Sequence, residues 1–206
     1  PESYRDHLGI NVGDYVNLSS FTHHPFYEKF IIEVPDNWRW DTAYNLPIDE
    51  LMEVMYNAID NGYSIAWGSD VSEKGFTRNG IATMPVEKKK AAAGSDQERW
   101  VGKAADENKD EVKKEELPEE IIATQEMRQE GYDRKLTTDD HGMHIYGVAK
   151  DQNGTKYFMV KNSWGEAGKY KGVWYASDAF VRYKTMNIVV HKDALPKHIA
   201  KKLGIK

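Results

Sequence analysis

One histidine and one asparagine in the last third of the chain have the spacing of a catalytic pair. His141 begins the stretch HGMHIYGVAK, Asn162 ends YFMVKN, and DQNGTK lies between the two stretches. Asn-Gly in that linker is a strong signal for a β-hairpin, so both residues are expected at the same end of one hairpin. An amide oxygen can accept the imidazole N–H, fix the tautomer and leave the other ring nitrogen to activate a nucleophile.

The number of residues on each side of the turn decides whether His141 and Asn162 can lie directly opposite each other in this hairpin. Eleven residues lie between His141 and the Asn-Gly turn, and 7 lie between the turn and Asn162. A direct meeting therefore requires a bulge or a longer loop. Trp164, two residues beyond Asn162, is expected to shield the hydrogen bond from water. From spacing alone, a partly buried histidine with a polar neighbour is the simpler interpretation.

A metal site is the alternative chemistry for the same segment, because two aspartates precede His141 and His144 follows it. Side chains three positions apart on a strand point to opposite faces, so these two histidines are poorly placed to share a metal. The adjacent His23 and His24 are also unsuited to chelation. We predict no metal and no cofactor.

The composition is that of a soluble globular protein, and 206 residues are enough for one substantial domain. A net charge of −5 gives no general attraction to nucleic acid or to acidic membranes, and no apolar run approaches the length of a membrane span. There is no cysteine, hence no disulfide and no redox clue to compartment. The opening PESYRDHLGI has no initiator Met and no signal-peptide pattern, which is expected of a cut chain.

The pattern of elements predicts an α+β fold, with an antiparallel, barrel-like sheet and at least two helices. LPIDELMEVMYNAIDNG has the apolar spacing of a helix, and a second helical pattern ends near Gly131. Between residues 86 and 120, 19 of 35 residues are charged. We treat residues 1–206 as one domain with a charged, exposed and helical insertion at 87–120. Strands are predicted at 15–21, 28–34, 63–69, 143–150, 156–162, 172–177 and 186–191.

The motifs DDHGMHIYGVA and YFMVKNSWGEAGKYKGVWYAS together resemble the C-terminal half of papain-like cysteine peptidases. LPIDELMEVMYNAIDNGYSIAWGSDV, the His-x-Met pattern and the ending MNIVVHKDALP are similar to the aminopeptidase C and bleomycin hydrolase branch. The resemblance covers most of residues 14–86 and 137–206 and does not extend well to the charged insertion. It implies a papain-like fold.

The resemblance also implies roles for individual residues. His141 matches the catalytic base, Asn162 the amide that orients it, and Trp164 the shielding indole. A second group is expected to contact substrate: Asp140, Gly142, Tyr63 and Lys206. Of these, Lys206 is expected to present the terminal carboxylate of a C-terminal arm that lies near His141 and meets the free amino group of a peptide.

The cysteine nucleophile of such peptidases belongs to the N-terminal half of the fold, which this chain lacks. We therefore expect the C-terminal portion of a cysteine aminopeptidase, inactive by itself, in an enzyme for which the resemblance weakly favours a cytoplasmic location. The expected partners are a peptide substrate, the missing half or a chain that carries the cysteine, and further copies of the chain. The alternative is a non-catalytic peptide-binding or scaffold module of the same fold. A metal- or carbohydrate-binding β-domain is disfavoured by the histidine spacing.

Overall fold

A computed structural model describes residues 2–86, 117–166 and 168–206. The chain forms two compact units, one of residues 1–84 and 122–206 and the other of residues 85–121. In the second unit, Pro85 and Glu120 form an isolated antiparallel bridge. That unit spans the predicted insertion, but residues 87–116 lie outside the described residues, so the predicted helix and exposure stay predictions.

Nine strands of the larger unit form one sheet in the order β2-β3-β1-β9-β4-β6-β7-β8-β5. Most pairs are antiparallel, and only β1 with β3 and β5 with β8 run parallel. The strands are β1 Tyr15–Ser19, β2 Lys29–Ile31, β3 Thr42–Asn45, β4 Ile65–Ser69, β5 Ile81–Ala82, β6 His141–Lys150, β7 Lys156–Lys161, β8 Val173–Ser177 and β9 Thr185–His191.

The predicted α+β class is confirmed, but the sheet is not a closed barrel. Closure needs a continuous hydrogen-bonded ladder between the first and the last strand. Here the terminal strands β2 and β5 are only 3 and 2 residues long. Among the described residues, no pairing joins them, so the sheet stays open.

Five helices accompany the sheet in the described residues: α1 Glu2–Leu8, α2 Ile48–Asp60, α3 Gln125–Asp133, α4 Asp178–Lys184 and α5 Lys197–Lys202. Helix α2 forms where the apolar periodicity predicts it. Leu51, Met55 and Ala58 are fully buried in the main core, and Gly62 follows the helix with φ +81°, a conformation that favours glycine. None of the described helices has the length and apolar character needed to cross a membrane.

The hairpin of β6 and β7 forms as predicted around the Asn-Gly turn. Gly154 has φ +85°, and the Asp151 carboxylate accepts the backbone N–H groups of Asn153 and Thr155 at 2.8 and 2.9 Å. The pairing register shifts between Ile145 and Gly147. The bulge takes up one residue of the mismatch in the count. Beyond it His144 pairs with Lys161, so His141 reaches Asn162 diagonally across the two strands rather than from the directly opposite position.

Helix α3 contributes a buried cation that holds three elements together. Arg128 is fully buried, and its guanidinium donates to the carbonyl oxygens of Ser20, Arg182 and Tyr183 at 2.7 to 3.3 Å. Burial lowers its pKa to about 9. The helix begins at a capping residue, because the Thr124 hydroxyl accepts the N–H of Met127.

Candidate active site

The central contact of the site joins His141 to Asn162. His141 is the first residue of β6, and it pairs with Ser69 at the end of β4. Asn162 follows β7 directly, and only 2% of it is exposed. His141 Nε2 and Asn162 Oδ1 are 2.8 Å apart. The predicted contact between the two side chains is therefore present.

The backbone of Ser163 determines which way the Asn162 amide points. The Ser163 N–H lies 2.7 Å from Asn162 Oδ1, and a backbone N–H can only donate, so this atom must be the amide oxygen. His141 Nε2 then carries the proton of the neutral ring. His141 Nδ1 is left as a lone-pair acceptor, and it makes no hydrogen bond within the described part of the chain.

An aromatic cluster supports the histidine from one side. The indole of Trp164 lies 5.2 Å from the His141 ring, measured between centroids. Trp164 packs edge-on against Trp174 at 5.6 Å and against Phe76 at 6.1 Å. Trp174 is buried and donates its indole N–H to the Thr77 carbonyl. Trp164 itself remains 48% exposed, so the indole lies between the histidine ring and solvent on this side.

The carboxylate of Asp140 holds the loop that follows β4. It accepts the Val71 N–H at 2.9 Å and the Ser72 hydroxyl at 2.5 Å. This position fixes the backbone immediately before His141. Its predicted contact with substrate stays a prediction.

A buried lysine joins the same loop to the segment before β6. Lys184 is 2% exposed, and its ammonium contacts the Glu73 carboxylate, the Leu136 carbonyl at 2.8 Å and the Asp70 carboxylate at 3.6 Å. Asp70 in turn accepts the Thr138 N–H at 3.1 Å. Burial raises the pKa of Asp70, and the neighbouring Lys184 opposes that rise. We call Lys184, Asp70 and Glu73 the buried charge cluster; it positions the backbone that leads into His141.

Gly142 lines a cavity of about 570 Å³ on the sheet surface beside Asn162, and its predicted contact with substrate stays a prediction. A Cβ atom at Gly142 would meet nothing within 4 Å. Gly68, its partner on β4, is different, because a Cβ there would collide with Asn187 Oδ1. A side chain at position 68 would therefore have to displace the Asn187 amide on the neighbouring strand β9.

The structure does not bring Tyr63 to the site. Its ring stacks on His191 at 5.4 Å, before the start of β4, whereas His141 pairs with Ser69 at the other end of that strand. Six residues of extended chain span about 20 Å. The predicted pocket role of Tyr63 therefore has no geometric support.

The C-terminal segment is anchored on the N-terminal turn of α2. Lys202 donates to Glu50 at 2.6 Å and to the Tyr27 hydroxyl at 3.2 Å, and Leu203 is buried in the main core. The hydrogen bonds and ring contacts of the described residues do not connect this segment to His141. The position of the Lys206 carboxylate at the site stays a prediction.

In the described residues, no group of three or more histidine, aspartate or glutamate side chains lies close enough to hold a metal ion. His144 is exposed, and its ring centroid lies 6.4 Å from that of Tyr146. His23 instead stacks on Tyr132 and lies within hydrogen-bonding distance of Gln129.

The sequence did not reveal several residues that shape the site. Phe76, Trp174 and the buried charge cluster are far from His141 along the chain, so local spacing carries no information about them. One sequence signal for Trp174 was usable: side chains alternate between the two faces of a strand, and in GVWYAS this alternation places Trp174 on the inner face.

Known proteins similar to this chain are peptidases. Residues 120–205 match the Peptidase C1-like family. Aminopeptidase C of Streptococcus thermophilus is 26% identical over 199 residues, which are 93% of this chain and 38% of that protein. Aminopeptidase C of Lactobacillus helveticus is 24% identical over 206 residues, covering 97% of this chain and 40% of that protein.

The predicted family resemblance is confirmed. The crystal structure of PepW from Lactobacillus rhamnosis HN001 has the same fold, with a TM-score of 0.66 and 20% identity over 98% of this chain and 40% of that chain. The chain accordingly has a papain-like α+β fold. It spans about 40% of the length of the curated relatives that it matches.

Proposed function

We propose that this chain supplies the base-bearing part of a cysteine aminopeptidase, with His141 as the general base and Asn162 as the residue that orients it. One observation carries the proposal: the hydrogen bond of 2.8 Å from His141 Nε2 to an amide oxygen whose direction Ser163 fixes. This geometry leaves Nδ1 to take a proton from a nucleophile. The aminopeptidase assignment comes from the names of the relatives.

The chemistry requires a thiol from outside this sequence, which has no cysteine. The thiol proton passes to His141 Nδ1, and the thiolate attacks the carbonyl carbon of the first peptide bond. The imidazolium then protonates the leaving amine, which departs and leaves a thioester. Water attacks the thioester while Nδ1 takes its proton, and the released amino acid and the free thiol complete the cycle.

A second feature supports a partner segment close to Asn162. The Nδ2 atom of this residue is buried and has no hydrogen-bond partner among the described residues. A buried amide donor left unpaired costs about 1–3 kcal/mol. A carbonyl oxygen from the cysteine-bearing part would satisfy this donor.

The reading frame upstream of Pro1 provides the first test. An in-frame segment with a glutamine followed by a Cys-Trp-type sequence supports the peptidase, and a stop codon there contradicts it. The longer product should release the fluorophore of aminoacyl reporters and lose activity with a thiol alkylator. His141→Ala should lower kcat/KM at least about a hundredfold, and the exposed His7→Ala serves as the matched control.

The 206-residue chain alone should not hydrolyse these reporters, because an imidazole without a thiol is a poor catalyst of amide cleavage. Turnover that survives repurification and disappears in His141→Ala would contradict this.

The absence of cysteine favours a second candidate, a non-catalytic peptide-binding or scaffold module of the same fold. A stop codon and promoter upstream of Pro1 would support it. Binding of peptides by the isolated chain, without any dependence on His141, would distinguish this function from the first.

A further inference from the structure

A second cavity lies on the larger unit, outside the His141–Asn162 contact. It has a volume of about 960 Å³, which is in the range of small-molecule sites. The loop between β2 and β3 forms one wall. The end of α3 and the segment leading to β6 form the other, which includes Tyr132 and Asp139.

The side chain of Asn37 builds the loop wall. Its amide nitrogen donates to the carbonyl oxygens of Ile32 and Asp41 at 3.1 and 2.9 Å, and its oxygen accepts the Asp41 N–H at 2.9 Å. Within this loop Trp40 has φ +58°. A non-glycine residue in this left-handed region is strained, and such strain concentrates at binding sites.

The loop presents two indoles to solvent. Trp38 is 78% exposed and Trp40 is 68% exposed, and both line the cavity. Exposed apolar surface of this size next to a cavity is typical of a binding site rather than of an inert surface. Arg39 lies over the Trp38 ring at 5.9 Å, so this indole already accepts one guanidinium group.

The cavity is acidic as well as aromatic. Asp36 on the loop and Asp139 on the opposite wall form no ion pair or hydrogen bond within the described residues. Burial and the charge of Asp36 raise the pKa of Asp139 to about 6. Glu33 and Asp133 also line the cavity. In the described residues, the nearby cations are Lys135 in the lining and Arg39 over the Trp38 ring.

We propose that this cavity binds the cationic side chain of a peptide, a lysine or an arginine. A guanidinium or ammonium group can stack on the Trp38 and Trp40 indoles while it forms charge-assisted hydrogen bonds with Asp36 and Asp139. A divalent metal is a poor alternative, because no group of three ligating side chains lies close enough together in the described residues.

The position of Asp139 connects this cavity to the candidate base. Asp139 precedes His141 by two residues, a separation of at most about 7 Å. Because the wall of the cavity adjoins the start of β6, a peptide that places a basic side chain in the cavity is within a few residues' length of His141. The inference deepens the proposed function, because it names basic peptides as the substrate class. The cleavage of a bound peptide rests on the proposed peptidase function, whereas its binding in the cavity does not.

Calorimetry on the 206-residue chain tests the proposal with two nearly isosteric probes. N-acetyl-arginine methylamide should bind at least about tenfold more tightly than N-acetyl-citrulline methylamide, which has the same shape without the charge. A third probe, norleucine amide, carries only an α-ammonium group and shows whether the site prefers the side chain or the N-terminus. Equal binding of the arginine and citrulline probes, no binding of either, or preferential binding of norleucine amide would overturn the proposal.

Substitutions of the two cavity aspartates test whether the arginine probe binds in this cavity. Asp139→Asn and Asp36→Asn should each weaken the arginine probe about tenfold, and the exposed Asp60→Asn, which removes the same charge at the end of α2, should leave its affinity unchanged. Asp36 is exposed, so Asp36→Asn keeps the test valid if Asp139→Asn fails to fold. Unchanged affinity in Asp36→Asn contradicts the proposal.

These measurements need neither a thiol nor turnover. Binding that follows the charge of the probe can therefore be found even if the upstream reading frame encodes no cysteine. Conversely, if the longer product is an active peptidase but this chain shows no preference for the arginine probe, the proposed role of the cavity is wrong and the proposed peptidase function still stands.

Discussion

A single backbone N–H, that of Ser163, determines the chemistry available to His141. Because this group holds the Asn162 amide oxygen toward the ring, the neutral imidazole carries its proton on Nε2. The hairpin predicted that both residues lie at the same end of the sheet, but their spacing alone favoured a simpler interpretation, and the resemblance of the motifs was needed to predict their pairing. The direction of the amide was not predictable, because it depends on one peptide group at the end of β7.

Nitrogen-15 NMR can check the tautomer in the isolated chain. At a pH where the ring is neutral, we expect the His141 signals of a single Nε2–H tautomer. Asn162→Ala removes the acceptor and should give a mixture of tautomers. His7, on the exposed helix α1, is the internal reference and should not respond. Identical His141 spectra in the two proteins would contradict the orienting role.

Asp139 should make stability depend on pH. Folding raises its pKa from 3.8 to about 6, so the folded state favours the neutral carboxyl. The stability contributed by this group is fully present below about pH 3.8 and is lost as the pH rises through about 6. Asp139→Asn should therefore be about 1–3 kcal/mol more stable than the parent chain at pH 8 and equally stable at pH 4.

Urea denaturation at the two pH values measures this difference, with Asp60→Asn as the control that should show no pH-dependent gain. A loss of stability in Asp139→Asn at pH 8 would contradict the assignment. Neither the shift nor its partner was predictable from the sequence, because Asp36 lies about a hundred residues before Asp139.

At the level of elements, the buried charge cluster connects the end of β4 to the start of β6. Lys184 lies at the end of α4 and contacts both connecting segments. Local patterns predicted helix α2 and the β6–β7 hairpin, with a bulge or a longer loop as the condition for a direct meeting of His141 and Asn162. They did not predict the cluster or the open ends of the sheet, because both depend on contacts between residues far apart along the chain.

Lys184→Met should destabilise the chain by about 3–5 kcal/mol, because it leaves Asp70 buried beside Glu73 without their cation. Urea denaturation measures the free energy of unfolding. Lys201→Met, on an exposed face of α5, is the matched control and should change stability by less than about 0.5 kcal/mol. A loss below about 1 kcal/mol for Lys184→Met would show that the cluster does not hold these segments together.

At the level of the whole molecule, the anchoring of Leu203 limits what the C-terminus can reach. Leu203 is buried in the main core, and Ile205 donates its N–H to Ala200. Residues 204–206 span at most about 10 Å beyond this anchor. The predicted arm can select the substrate end only if the cleft approaches this anchor in the complete enzyme.

Deletion of residues 204–206 from the complete enzyme tests the arm and spares Leu203. A carboxylate that meets the substrate ammonium is worth about 1.5–3 kcal/mol. Its loss should lower aminopeptidase kcat/KM roughly ten- to a hundredfold and permit cleavage of N-blocked peptides. The Lys206→Ala variant keeps a terminal carboxylate and is the control. Unchanged aminopeptidase activity without internal cleavage would show that the segment has no role in selection.

The bulge between Ile145 and Gly147 also restricts how this hairpin can change during evolution. A shift of one residue in a strand turns every side chain to the opposite face of the sheet. One residue gained or lost within the paired parts of β6 or β7, between the bulge and Asn162, would therefore turn His141 away from the amide, and a change of two would keep the face but displace the side chains by about 7 Å along the strands. Across homologues, length differences in this hairpin should therefore be confined to the loop at residues 151–155, and any length change within the paired strands should be accompanied by a compensating bulge or by loss of the histidine.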